Sequence, residues 1–135
     1  DLKHDVKIFG YTNQVAALMA QASLLVTKPG ALTCTEAAAV GVPSVFYSPI
    51  PGQEEANASY MQEKGCARWV KSQNRLVEAV ADLLQHTERL GHMSQACRFC
   101  RRDGAEVVSR GVLQMLEESK QKIYYPSGMT PESIS

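Results

Sequence analysis

The sequence predicts an α/β fold, a mostly parallel sheet with helices on both faces. Three observations predict it. The apolar pattern switches repeatedly between short uninterrupted runs and helical spacing. The uninterrupted runs lack polar alternation, as strands covered on both faces do. Glycine or proline stands at most of the switches, and strands alternate with helices rather than with one another. A length of 135 residues suits one domain, and 44% hydrophobic residues are enough for it to bury a core.

Residues 6–9 (Val6, Lys7, Ile8, Phe9) read as a short strand ended by Gly10. Asn13 is placed to cap a helix whose apolar positions are Val15, Leu18, Met19 and Ala22. Leu24, Leu25 and Val26 form the next strand, covered on both faces, and Thr27, Lys28, Pro29 and Gly30 break it. Residues 33–40 form an Ala-rich helix closed by Gly41, and 43–47 the following strand. The rigid turn Pro49-Ile50-Pro51-Gly52 leads into a helix over 53–64, which Gly65 ends. Residues 66–70 give one more strand. A helix over 74–85 carries Leu76, Val77, Val80, Leu83 and Leu84 at helical offsets, 88–100 is helical, and 104–118 has Val107, Val108, Val112, Leu113 and Leu116 along one side. From Lys120 the chain turns polar and reads as a loose tail.

Composition excludes several functions. Fourteen Lys+Arg balance fourteen Asp+Glu, so no bulk electrostatic grip on nucleic acid is expected. No apolar run is long enough to span a membrane, and residues 1–7 are too polar for the core of a signal peptide. Cys34 and Cys66 read as buried thiols of a cytosolic protein. Cys97-x-x-Cys100, with His86 and His92 upstream, is the one metal-like cluster. It lacks a second Cys pair, so two thiols one helical turn apart is the preferred reading.

In parallel sheets ligands bind beyond the carboxyl ends of strands, which directs attention to the loops at 27–33 and 48–53. The first runs through Pro29 and Gly30 into a helix, so free N–H groups and the positive end of the dipole face an anion there. It has neither the P-loop ending nor a GxGxxG fingerprint. Lys28 adds a positive charge to that site or is a solvated strand-end lysine, the two readings standing level. Glu36 has two readings. Thr33-x-x-Glu36 matches a capping box; alternatively the carboxylate accepts two hydrogen bonds from a ribose diol. In the second loop Gln53, Glu54 and Asn57 offer the donors and acceptors that sugar hydroxyls require, while Glu55 suits the helix dipole. Gln53 and Asn57 share one helix face.

Taken together, Val26-Thr27-Lys28-Pro29-Gly30-Ala31-Leu32-Thr33, then Glu36-Ala37, Gly41-Val42-Pro43 and Pro49-Ile50-Pro51-Gly52-Gln53-Glu54-Glu55-x-Asn57-Ala58 resemble the carboxyl-terminal half of one family. This is the monogalactosyldiacylglycerol synthase and processive diacylglycerol glucosyltransferase group, relatives of the peptidoglycan enzyme that adds N-acetylglucosamine to lipid I. The likeness is densest from Phe9 to Asn57. It implies a GT-B glycosyltransferase of two Rossmann-like α/β halves, each a parallel sheet with helices on both faces, the carboxyl-terminal half binding a UDP-sugar: Tyr11 and Thr12 at the uracil, the amides of Gly30, Ala31, Leu32 and Thr33 at the diphosphate, and Glu36 at the ribose. Gln53 and Glu54 would then hold the hexose, with Asn57 in support. Ala31 departs from the second glycine of many glycolipid synthases but matches the peptidoglycan relatives.

The resemblance further implies inverting hexosyl transfer from UDP-glucose or UDP-galactose to diacylglycerol, without a bound metal or other cofactor, peripherally at the cytosolic membrane surface. The base and the lipid site belong to the amino-terminal half of that family. His4 reads as a surface residue, not the base. Residues 1–119 are thus expected to be a donor-binding domain lacking its first strands, inactive by itself, and 120–135 a flexible tail. Two alternatives stand beside it: transfer from UDP-N-acetylglucosamine of the lipid I type, and a non-catalytic nucleotide-binding or interaction module.

Overall fold

The computed structural model describes residues 6–100 and 104–121. The elements are α1 (Val15–Gln21), β1 (Leu25–Thr27), α2 (Ala31–Val40), β2 (Ser44–Tyr47), α3 (Gln53–Glu63), β3 (Ala67–Val70), α4 (Gln73–Gln85), α5 (Thr87–Cys100) and α6 (Gly104–Gln121). They fall into two units, residues 1–101 and 102–135. The second contributes α6, whose Val107, Val108, Val112, Leu113 and Leu116 are exposed.

The three strands are parallel in the order β1-β2-β3, with Val26 beside Val45 and Phe46 beside Trp69. Successive side chains of a strand point to opposite faces, and the two core clusters follow that period. Phe46 and Ala67 meet Cys34 and Ala38 of α2, Ala58 and Met61 of α3, and Cys97 of α5, with Trp69 packed alongside. Val45 and Val70 meet Ala79 and Leu83 of α4 and Leu90 of α5 on the other face. Helices therefore cover both faces, as the sequence predicts. Burying Val45 and Phe46 completely contributes about 1.5–3 kcal/mol each.

Local chemistry explains the boundaries. Gly41 closes α2 at φ 79°, its N–H reaching the carbonyls of Ala37 and Ala38. Gly65, at φ 74°, makes the corresponding turn into Cys66. Ser72 caps α4 by accepting from the Arg75 N–H at 3.4 Å. The buried face of α4 is Leu76, Ala79, Val80 and Leu83, while Val77 and Leu84 face water.

Several expectations are corrected. Residues 6–9 form no strand: Val6 is 57% exposed and Ile8 94%, because no neighbouring strand pairs with them among the described residues. Gln14, not Asn13, occupies the N-cap of α1, and the Thr12 hydroxyl accepts from the Gln14 N–H at 3.1 Å. Only Met19 of that helix is buried, and Ala22 lies just beyond its end. β1 lies at the edge of the sheet among the described residues, and its Val26 is 47% exposed, so the strand is not covered on both faces. α2 begins at Ala31 rather than Thr33, and β3 at Ala67 rather than Cys66. α6 continues to Gln121, so its last two residues belong to a helix and not to the expected tail. His4 and positions 122–135 lie outside the described residues.

Candidate functional site

The carboxyl ends of β1, β2 and β3 lead into the N-termini of α2, α3 and α4 respectively. Three helix starts therefore gather at one sheet edge, each with N–H groups that no turn of its own helix satisfies. At α2 the cap is Gly30, at φ −63° and ψ 146°, with no side-chain hydrogen bond to the first turn. Its carbonyl accepts from the Cys34 N–H at 2.9 Å. The N–H groups of Ala31, Leu32 and Thr33 are left open to a ligand, which fits an anion.

Side chains of the second loop close over the first. The Asn57 amide donates to the Pro29 carbonyl at 3.0 Å, spanning 28 residues of sequence and fixing a proline that is itself fully buried. Glu54 is anchored by the Ile50 N–H, which donates to its Oε2 at 2.6 Å. Its Oε1 lies 3.9 Å from where a Cβ on Gly30 would stand, and Thr33 Oγ1 lies 3.8 Å from the same point. Gly30, Thr33, Glu54 and Asn57 are thus brought together. The loop that carries Glu54 is held by two left-handed residues, Ser48 at φ 51° and Gly52 at φ 93°. A non-glycine residue in that region costs of order 1–3 kcal/mol and persists where its surroundings dictate it.

The structure removes the capping-box reading of Glu36. Gly30 is the cap, so Thr33 is the third residue of α2 and Glu36 lies in its second turn, exposed, where it cannot reach back to a cap amide. The carboxylate that does reach back belongs to Glu55, whose Oε2 accepts from the Gly52 N–H at 3.2 Å. Glu36 has no hydrogen-bond partner among the described residues. Ala31, Leu32 and Gln53 are exposed at the same edge. Tyr11 is fully exposed before α1, and no hydrogen bond ties it or Thr12 to the group around Gly30. Sequence reasoning missed the Pro29 carbonyl; only its position between strand and helix hinted at it.

Burial, reinforced by the nearby Glu54 charge, pushes the Cys34 thiol up to about 11, so it stays protonated and inert behind the site. The metal-like cluster is not assembled. His86 Nδ1 sits 2.8 Å from the Asp82 carbonyl, and no group of three side chains suited to an ion occurs among the described residues. No helix among them is long and apolar enough to cross a membrane.

A parallel sheet with helices on both faces and helix N-termini at its carboxyl edge is the frame of an α/β ligand-binding domain, and the chain belongs to the glycosyltransferase family 28 C-terminal domain, whose model matches residues 1–108. Its particular relatives narrow this. It is 40% identical over 90 residues to a processive diacylglycerol beta-glucosyltransferase of Bacillus pumilus (strain SAFR-032), covering 67% of this chain and 24% of that protein. It is 33% identical over 120 residues to the Bacillus subtilis (strain 168) protein of the same name, covering 87% and 31%. The chain thus spans about a quarter to a third of the length of these relatives. The fold matches the crystal structure of Acinetobacter baumannii MurG with a TM-score of 0.67 at 23% identity, over 83% of this chain and 33% of that one.

Proposed function

We propose that this chain binds the UDP-hexose donor for hexosyl transfer to diacylglycerol. The observation that carries the proposal is the uncapped start of α2 facing the anchored Glu54. The amides of Gly30, Ala31, Leu32 and Thr33 hold the diphosphate, and Glu36, without a hydrogen-bond partner among the described residues, takes the ribose diol through its two coplanar oxygens. Glu54 has one oxygen engaged by Ile50 and one free, so it accepts from a hexose hydroxyl; its negative charge suits the neutral sugar and not the diphosphate. Gln53 adds a second contact to the hexose, and Tyr11 and Thr12 line the uracil. Asn57 acts as a positioning residue, holding the Pro29 carbonyl so that the next amides point outward.

An acceptor oxygen attacks the anomeric carbon from the face opposite UDP while the bond to the β-phosphate oxygen breaks, inverting the centre. The helix end and open amides stabilise the charge that builds on the leaving diphosphate, so no metal is needed for that task. The base and the lipid site lie outside the residues assigned here, and the chain by itself does not complete transfer. The relatives named for diacylglycerol glucosylation support a lipid acceptor, and an acceptor held in a bilayer suits a peripheral place at the cytosolic membrane surface.

Titration calorimetry with UDP, UDP-glucose, UDP-galactose and UDP-N-acetylglucosamine tests this. UDP and one UDP-hexose are expected to bind with comparable or increasing affinity. A folded chain that ignores UDP refutes the proposal, and a preference for UDP-N-acetylglucosamine favours transfer of the lipid I type instead.

A further inference from the structure

Cys66, Cys97 and Cys100 gather on the sheet face that holds Phe46, although 31 residues separate Cys66 from Cys97. The position of Cys66 is fixed: its N–H donates to the Met61 carbonyl at 2.9 Å and its carbonyl accepts from the Ser44 N–H at 3.2 Å. Its sulfur lies 3.3 Å from that of Cys100, the last residue of α5. Cys97 Sγ, fully buried, is turned to the carbonyls of Val42 and Cys66 at 3.6 Å. Only Cys100 of the three is partly open to solvent.

We propose that Cys66 and Cys100 are a redox pair that closes to a disulfide on exposure to a peroxide. The sulfurs must approach by roughly 1.3 Å to reach bonding distance, and Cys100 stands at a helix end, where small backbone shifts are easiest. Cys100 is the point of attack. Its thiolate takes one peroxide oxygen, the O–O bond breaks, and a sulfenic acid and one water result. The Cys66 sulfur then attacks the Cys100 sulfur; the S–S bond forms, the S–O bond breaks, and the hydroxyl leaves as a second water with the Cys66 proton. Two thiols are oxidised by two electrons and one peroxide is reduced. Burial, together with the contact to Cys100, raises the Cys66 thiol, so the more accessible Cys100 and not Cys66 meets the peroxide first. The disulfide would tie the end of α5 to the entrance of β3.

The test is to treat the folded chain with dilute hydrogen peroxide, block free thiols in denaturant and digest with trypsin without reduction. Peptides 65–68 and 99–101 are expected to appear joined, with Cys34 and Cys97 blocked as free thiols. The link should persist in Cys97→Ser, vanish in Cys100→Ser and reverse with dithiothreitol. The oxidised chain should also melt at a higher temperature than the reduced one, a difference absent from Cys100→Ser, whose circular dichroism checks that it folds. Linkage through Cys97 or Cys34, or Cys66 left blockable while Cys100 passes to the sulfinic acid, would overturn the assignment.

Discussion

Glu36 is exposed in the second turn of α2 with no partner from its own chain among the described residues. Glu36→Gln is therefore expected to leave the melting temperature within the scatter of surface substitutions, about 0.5 kcal/mol, while weakening UDP binding. Losing hydrogen bonds to a charged acceptor should cost roughly tenfold or more in Kd, measurable by calorimetry. Asn57 couples the two effects. Asn57→Asp replaces the donor to Pro29 with an acceptor, so stability should fall by about 1–3 kcal/mol in urea titration, with donor affinity falling alongside. Neither role was legible in full. Thr33-x-x-Glu36 matches a capping box because the true cap, Gly30, has no side chain to announce itself, and the contact from Asn57 to Pro29 crosses 28 residues.

At the scale of elements, α4 is held at both ends by polar contacts. Ser72→Ala should cost about 0.5–2 kcal/mol and Ser72→Gly only a few tenths, read as shifts in denaturant midpoint. Near its other end Asp82 accepts from Arg68 at 2.9 Å and from Arg89 at 2.7 Å. Desolvation works to raise its pKa, but the Arg89 charge, the hydrogen bonds from both arginines and His86 outweigh it, so the carboxyl is held below its ordinary value. A depressed pKa adds stability above the unfolded value of about 4 that is lost as pH falls through the folded one. Asp82→Asn should thus be less stable than the parent at neutral pH, the gap closing in acid; a gap unchanged below that range would rule out the linkage.

Strands near 25, 45 and 68 and all five later helices were readable from apolar runs punctuated by Gly and Pro. The strand expected at residues 6–9 was not, because a strand requires a neighbour and a sequence run cannot show whether one is there. The edge position of β1 and the grouping of Cys66 with Cys100 were hidden for the same reason: both depend on what packs alongside.

For the whole molecule, donor binding should stabilise the chain by mass action. UDP at a hundred times its Kd adds about 2.7 kcal/mol, visible as a rise in melting temperature that grows with ligand concentration. A chain whose melting point ignores saturating UDP would contradict the site.

The three helix starts at the carboxyl edge have one more consequence. The molecule carries equal numbers of positive and negative side chains, yet α2, α3 and α4 all begin at that edge. That edge therefore carries the partial positive charge of three helix starts in a chain without net charge. Such a field turns a charged ligand at close range but does not draw it in from afar, so the association rate for a nucleotide diphosphate should change little with ionic strength, and the discrimination should lie in how long the ligand stays.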